Sequence, residues 1–162
     1  MNIIFSYSSF LFSKIRIILI VLFITLLSLN AAGFWTLTGL EKANVYVKND
    51  VSLLKPETIT TIKEKMYAAL EGLGIKTEMQ DSPTLMLALE DLDDDGTHYV
   101  YVKLALGEEV QTFRADKSAT FALTYADNDF IDVDEEDLDS GILESVDFLL
   151  TQFKEHYLDD KE

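Results

Sequence analysis

Two alternating apolar runs joined by Asp95-Gly96 constrain the fold of this chain more than any other feature. The run 84–92 (TLMLALEDL) places Leu85, Leu87 and Leu89 on one side, and the run 98–106 (HYVYVKLAL) alternates valine and leucine with tyrosine and lysine. Period-two alternation is typical of half-buried strands. Asp-Gly tolerates the positive φ angles that a tight two-residue turn requires. The sequence therefore predicts a β-hairpin with Asp95-Gly96 at its turn.

The same turn opens like a calcium-binding loop, because Asp91, Asp93 and Asp95 alternate and Gly96 follows them. An EF-hand loop also needs a glutamate at its twelfth position and a helix on each side. The twelfth position here is Val102, and the flanking runs alternate like strands. We therefore favour the hairpin, with a metal site at the three aspartates as the less favoured hypothesis.

Two segments have the three-and-four spacing of amphipathic helices. The segment 55–74 has Pro56 in its first turn and glycines at its end, and the segment 135–157 follows Asp134, a potential N-cap. Their apolar stripes are Ile59, Ile62, Met66, Leu70 and Leu73 in the first, and Leu138, Ile142, Val146, Leu149, Leu150, Phe153 and Tyr157 in the second. Each stripe predicts a helix face buried in the core.

Two further segments alternate like strands: 44–50 (NVYVKND), and 119–126 (ATFALTYA), where we expect Phe121, Leu123 and Tyr125 to share one face. The middle strand extends past Gly107, where glycine predicts a bulge. The sequence thus predicts an α+β fold in the order β-α-β-β-β-α. The expected architecture is a two-layer sandwich, an antiparallel sheet of about four strands with two helices on one face.

The amino terminus has the pattern of an export signal. Lys14 and Arg16 precede an apolar stretch at 17–29, and NAAG follows it. A basic flank, a short apolar core and small residues are typical of a secretory signal peptide. The stretch is shorter than the roughly 20 residues needed to cross a bilayer. We therefore predict a signal peptide at 1–31.

An uncleaved membrane anchor at 17–40 is the alternative, because no charged residue lies in that span. The basic residues before it would stay in the cytoplasm by the positive-inside rule. Either hypothesis places a single globular α+β domain, 32–162, outside the cytoplasm, and a buried helix in a cytosolic protein is a third, less favoured interpretation. The expected location is periplasmic or secreted, or, with an anchor, the inner membrane facing the periplasm.

The chain is strongly acidic, with 29 Asp and Glu against 13 Lys and Arg and a formal net charge of −16. This balance argues against binding to nucleic acid or to anionic headgroups, which require basic surfaces. We expect membrane contact only through the N-terminal segment, if it is uncleaved. The absence of cysteine excludes disulfides and thiolate chemistry. The acidic cluster at 127–139 predicts a solvated loop that leads into the last helix.

No catalytic or cofactor-binding motif is present, so we predict no cofactor, no catalytic residue and no enzyme activity. The best candidate site is a ligand or partner face at Tyr99, Tyr101 and Lys103, which lie opposite the Val/Leu side of their strand. Cross-strand packing of the tyrosines, which stabilises a sheet, is an equally supported interpretation. The leading hypothesis is an exported domain that binds an envelope protein or a small ligand. The alternatives are a carboxylate-based divalent-cation binder and, less favoured, a hydrolase.

Six segments in order resemble a loose group of small exported domains: LTGLEKANVYV, LEGLGIKTEM, PTLMLALEDL, YVYVKLALGEEV, ATFALTYA and SVDFLLTQFKEHYLDDKE. Together they cover about residues 36–160. The resemblance implies a signal followed by one strand, a helix ending in Gly-Ile, a proline-led strand, a tyrosine-rich strand and a final helix. It implies no activity and no functional residues, and this chain is more acidic than the group's pattern.

Overall fold

Strands and helices follow one another in the predicted order β-α-β-β-β-α in the computed structural model, which describes residues 36–77, 83–94, 97–132 and 136–161. The elements are β1 (Asn44–Asn49), α1 (Pro56–Gly72), β2 (Thr84–Asp94), β3 (Thr97–Gln111), β4 (Ala119–Ile131) and α2 (Leu138–Asp159). This confirms the α+β class and the four strands. Residues 1–35, on which the signal-peptide prediction and most of the predicted anchor fall, lie outside the described residues.

The four strands form one sheet in the order β1-β2-β3-β4. Strands β2, β3 and β4 are antiparallel neighbours, whereas β1 runs parallel to β2, from the pair Asn44↔Thr84 to the pair Asn49↔Leu89. The prediction of a wholly antiparallel sheet is therefore wrong for β1. The helix between β1 and β2 carries the chain back to the end at which β1 began, and such a crossover makes the two strands parallel.

Both helices cover the same face of the sheet. Leu85, Leu87 and Leu89 of β2 are completely buried there, beside the alternate valines and leucines of β3. The predicted helix stripes pack against them: the stripe of α2 is wholly buried, and that of α1 is buried except for the partly buried Ile59 and Leu73. The core thus lies between one sheet face and one helix layer, as predicted.

The hairpin between β2 and β3 is confirmed by its pairing. Asp94 pairs with Thr97, so that Asp95-Gly96 is the two-residue connection, although these two residues themselves lie outside the described part. Strands flank the connection on both sides. This geometry differs from the helix–loop–helix arrangement of an EF-hand.

A bulge in β4 changes which side chains face the core. Leu106 pairs with Tyr125 but Gly107 pairs with Leu123, so Thr124 is the extra residue. One inserted residue reverses the alternation beyond it. The bulge predicted at Gly107 is therefore present, with its extra residue on the partner strand.

The prediction that Phe121, Leu123 and Tyr125 share one face is wrong for this reason. Tyr125 is fully buried, and its ring meets that of Phe153 edge-on at 5.3 Å between centroids. Phe121 and Leu123 remain on the opposite face, 57% and 37% exposed. Burial among apolar groups and the nearby charge of Asp127 raise the pKa of the Tyr125 phenol far above its ordinary value.

The start of α2 also differs from the prediction. The helix begins at Leu138, three residues after the predicted Glu135, and Asp137 at its N-cap makes no side-chain capping hydrogen bond. Asp134, the predicted cap, lies outside the described residues. The first part of the acidic cluster, up to Ile131, belongs to β4 and is not the predicted loop.

The segment that precedes β1 is held against the end of α2. The backbone N–H of Leu37 donates to Asp160 Oδ2 at 2.5 Å, and the Tyr157 hydroxyl donates to the Leu40 carbonyl at 3.0 Å. The N–H of Thr36 donates to the carbonyl of Thr124 in the bulge, at 3.2 Å. Across the four described ranges, no helix is both long and apolar enough to cross a membrane.

Candidate functional site

The sheet face opposite the helices, which we call the open face, carries the predicted site residues. Tyr99, Tyr101 and Lys103 of β3 lie on it and are partly exposed, alternating with buried Val100, Val102 and Leu104. Both described helices pack on the other face. The predicted placement of the three residues is therefore correct, and their role in binding stays a prediction.

Four apolar side chains from three strands form an aromatic patch at one end of the open face: Leu92, Tyr99, Tyr101 and Phe130. Leu92 pairs with Tyr99 across β2 and β3, and Tyr101 pairs with Phe130 across β3 and β4. The rings of Tyr101 and Phe130 are 4.8 Å apart between centroids and tilted by 40°. Leu92 and Phe130 are 40% and 59% exposed. The patch thus presents a packed aromatic pair in which Phe130 is exposed and Tyr101 is partly exposed.

A polar row crosses the sheet beside this patch, through the register Lys48↔Ala88↔Lys103. Lys48 lies 2.6 Å from Asp50 and 3.5 Å from Glu90, and the hydrogen bond and charge of Asp50 are the main reasons that the pKa of its ammonium is raised. Lys103 forms no ion pair with any residue in the described ranges. It therefore places a positive charge free to bind beside the aromatic patch.

A second apolar group lies beyond the polar row, around Gly107. Tyr46 pairs with Met86 across β1 and β2. The ring of Phe121 lies directly over Gly107, so close that a Cβ atom on this glycine would come within 2.2 Å of Phe121 Cζ. Tyr46 is 55% exposed. Aromatic cover of a strand glycine stabilises a sheet, so this second group has a structural explanation. Cross-strand packing likewise stabilises the Tyr101–Phe130 pair, but it does not account for the exposure of Phe130 and Leu92.

Of the three aspartates of the suggested metal site, the structure describes only the side chain of Asp91. The carboxylate of Asp91 accepts a hydrogen bond from the backbone N–H of Ser52 at 3.3 Å. The side chains of Asp93 and Asp95 lie outside the described part of the structure. Within that part, no three His, Asp or Glu side chains form a group that could hold a metal ion.

Two aspartates of the acidic cluster at 127–139 accept hydrogen bonds from backbone N–H groups of β4, the strand at the edge of the sheet. The N–H of Asn128 donates to Asp127 Oδ1 at 2.8 Å, and the N–H of Phe130 donates to Asp129 Oδ1 at 2.9 Å. Unpaired backbone groups on an edge strand attract other strands, and charged side chains that turn towards the core prevent such pairing. These two aspartates therefore prevent another strand from pairing with this part of β4. A partner is thus expected to bind the open face of the sheet and not this part of its edge.

The sequence analysis missed Phe130 and Leu92 as members of the site. The acidic run around Phe130 was read as a loop, although Asp127, Asp129 and Ile131 alternate with Asn128 and Phe130 in the period of a strand. Leu92 ends the predicted strand 84–92, but the prediction assigned only Leu85, Leu87 and Leu89 to a face. Counting period-two alternation through charged residues would have found both.

Comparisons with known proteins identify no relative from which a function could be inferred. No family model matches the chain, and no curated protein matches it. Among solved structures, a minor lipoprotein from Acinetobacter baumannii is similar over 73% of this chain and 94% of its own, with 9% sequence identity and a TM-score of 0.28. At that score the likeness carries no argument about fold or function.

Proposed function

We propose that the chain is an exported, non-catalytic domain that binds another protein of the cell envelope through the aromatic patch on its open face. The observation that carries the proposal is the packed pair of the partly exposed Tyr101 and the exposed Phe130, with Tyr99 and Leu92 beside it. Exposed aromatic clusters are the side chains most often found as anchors at the centre of protein interfaces. The expected location in the envelope depends on the export signal predicted at 1–31.

The shape of the patch favours a protein over a small ligand. Small molecules bind in concave pockets of about 300–1,000 Å³ that bury most of their surface. The aromatic patch instead spreads across three neighbouring strands, which are about 4.8 Å apart. Lys103 at its border makes a surface rich in carboxylates and apolar groups the expected complement.

A photo-crosslinking amino acid placed at Tyr101 in living cells tests this proposal. The matched control is the same amino acid at Tyr67, an aromatic residue of α1 that is 45% exposed on the helix side of the molecule. We expect an adduct with one envelope protein from Tyr101, absent from Tyr67, and lost when Phe130→Ser removes the neighbouring ring. Adducts that are the same from both positions, or that survive Phe130→Ser, would contradict the proposal.

A further inference from the structure

The hairpin between β3 and β4 continues beyond the rest of the sheet as a two-stranded arm, residues 108–122. Strand β2 begins opposite Gly107, so within the described ranges residues 108–111 pair only with residues 119–122 of β4. No residue of the arm is buried. An isolated two-stranded ribbon is at best marginally stable in water, which makes the arm a candidate for contact with another molecule.

The tip of the arm is an ordered structure that presents an aromatic side chain. Thr112 N–H donates to the Ser118 carbonyl at 2.9 Å, and Lys117 N–H donates to the Arg114 carbonyl at 2.9 Å. Between these bonds the side chain of Phe113 is fully exposed. Arg114 and Lys117 form no ion pair with any described residue. The tip therefore combines one apolar ring, two cations without an ion pair and one carboxylate, that of Asp116, which accepts the N–H of Ser118 at 3.2 Å.

A cleft of about 260 Å³ lies at the base of the arm, between it and the segment before β1. Its apolar lining includes Leu37, Leu40 and Leu106, and the carboxylates of Glu41 and Glu108 line it as well. Neither carboxylate forms an ion pair within the described ranges. Lys42 lines the cleft as well. The cleft is thus apolar with two negative charges and one positive charge, and it complements a tip that has one ring, two positive charges and one negative charge.

The tip of a chain does not reach its own cleft. Five residues separate Glu108 at the base from Phe113 at the tip, which is about 17 Å in a strand. Two arms that lie side by side in opposite directions, however, bring each tip to the base of the other. In this arrangement each copy makes the same contact, so the assembly is a dimer with twofold symmetry and does not grow further.

We propose that two copies of the chain form a symmetric dimer in which the arm tip of each fills the cleft at the arm base of the other. Phe113 enters the apolar cleft, and Arg114 and Lys117 pair with Glu41 and Glu108. The contact uses the arm and the cleft, not the aromatic patch, so it does not depend on the proposed function. Like-charge repulsion between the acidic bodies makes the dimer weaker than its contacts alone would suggest.

Sedimentation velocity of the full chain, as purified from cells, measures the dimer directly. We expect a dimer for the wild type and for Phe148→Ser, a control that removes a 51% exposed ring of α2. Phe113→Ser is expected to raise the dissociation constant of the dimer by about 30-fold or more for each of the two tip–cleft contacts, because buried aromatic anchors dominate such contacts. A wild type that stays monomeric up to about 1 mM, or a dimer that is unaffected by Phe113→Ser, overturns the proposal.

Charge reversal tests the pairing of the tip with the cleft. Arg114→Glu is expected to weaken the dimer at least about tenfold, as a lost close ion pair does, and the addition of Glu108→Arg is expected to restore it. If the double variant is no tighter than Arg114→Glu alone, and Glu41→Arg restores nothing either, the assignment of the cleft is wrong.

The chain has no cysteine, so single-cysteine variants report the geometry. Thr38→Cys, in the cleft, and Arg114→Cys, at the tip, are placed on two differently tagged copies, mixed and oxidised. A disulfide requires the two Cα atoms within about 7 Å. The mixed disulfide should form faster than either disulfide between identical variants, and a preference for identical pairs refutes the arrangement.

Discussion

The interaction of Asp139 with the start of α1 provides the most direct test of how the two helices are held together. Lys55, the N-cap residue of α1, makes no side-chain cap of its own. Asp139 of α2 takes that place: Lys55 Nζ donates to Oδ2 at 2.5 Å, Lys55 N–H donates to Oδ1 at 3.4 Å, and the hydroxyl of Thr58 donates to Oδ1. A carboxylate at a helix start satisfies unpaired donors and the helix dipole.

Replacement of Asp139 by Asn keeps one acceptor oxygen but removes the charge. Loss of a helix cap or of a charged hydrogen bond typically costs about 1–2 kcal/mol. We expect a decrease of this size in the free energy of unfolding at pH 7, measured by urea denaturation. Asp139→Ala should cost more, because the hydroxyl of Thr58, only 6% exposed, then has no acceptor.

Asp147→Asn is the matched control for this substitution. Asp147 lies on the same helix and pairs with Lys65 of α1 at 2.7 Å, but its side chain is 56% exposed, against 24% for Asp139. Exposed ion pairs typically contribute about 0–1 kcal/mol. Equal losses for Asp139→Asn and Asp147→Asn would refute the inference that Asp139 caps α1.

The pH dependence gives a second test of Asp139. The hydrogen bonds from Lys55 and Thr58 lower the pKa of its carboxyl below the ordinary value. A depressed folded-state pKa stabilises the protein fully above the unfolded pKa of about 3.9, and this contribution is lost as the pH falls through the folded value. The difference between wild type and Asp139→Asn should therefore be constant above about pH 5 and shrink at lower pH. A difference that persists unchanged into strong acid would contradict this.

Three further predictions follow from single contacts. Tyr157→Phe removes the hydroxyl that holds the segment before β1, and should lower the free energy of unfolding by about 0.5–1.5 kcal/mol in urea; no loss would show that the bond is not formed. Replacement of Asp127 and Asp129 together by Ala frees two edge N–H groups, and should accelerate aggregation in a thioflavin assay, whereas an unchanged rate would contradict edge protection. Gly107→Ala displaces the ring of Phe121, so its cost of about 1 kcal/mol should fall in a Phe121→Ala background, and a double-mutant cycle without coupling would refute the contact.

The core could be predicted from the sequence because burial imposes a period on each element. The stripe from Leu138 to Tyr157 is wholly buried, and the leucines of β2 lie where their alternation placed them. The Asp95-Gly96 turn was predictable because an Asp-Gly pair, which tolerates positive φ, lies between two alternating runs. In each case the signal is local and repeats over several residues.

The direction of β1 and the side of Phe121 were not predicted, because each depends on something that period-two alternation does not contain. A strand alternates in the same way whether its neighbour is parallel or antiparallel, and only the intervening helix decides between them. The extra residue in β4, Thr124, is invisible in a run that alternates without interruption from Phe121 to Tyr125. It is a consequence of pairing with β3, and it turns two apolar residues out of the core.

The acidic residues explain why the aromatic patch, and not a metal site, is the better candidate for function. Asp127 and Asp129 accept edge N–H groups, Asp139 accepts donors at the start of α1, and Asp91 accepts the N–H of Ser52. A carboxylate occupied by a backbone donor has less capacity to bind a cation. Tyr101 and Phe130, in contrast, pack on each other, and Phe130 remains 59% exposed. Exposed aromatic area of this kind costs free energy until a partner covers it, and that unsatisfied cost is the physical reason to look for a partner at the open face.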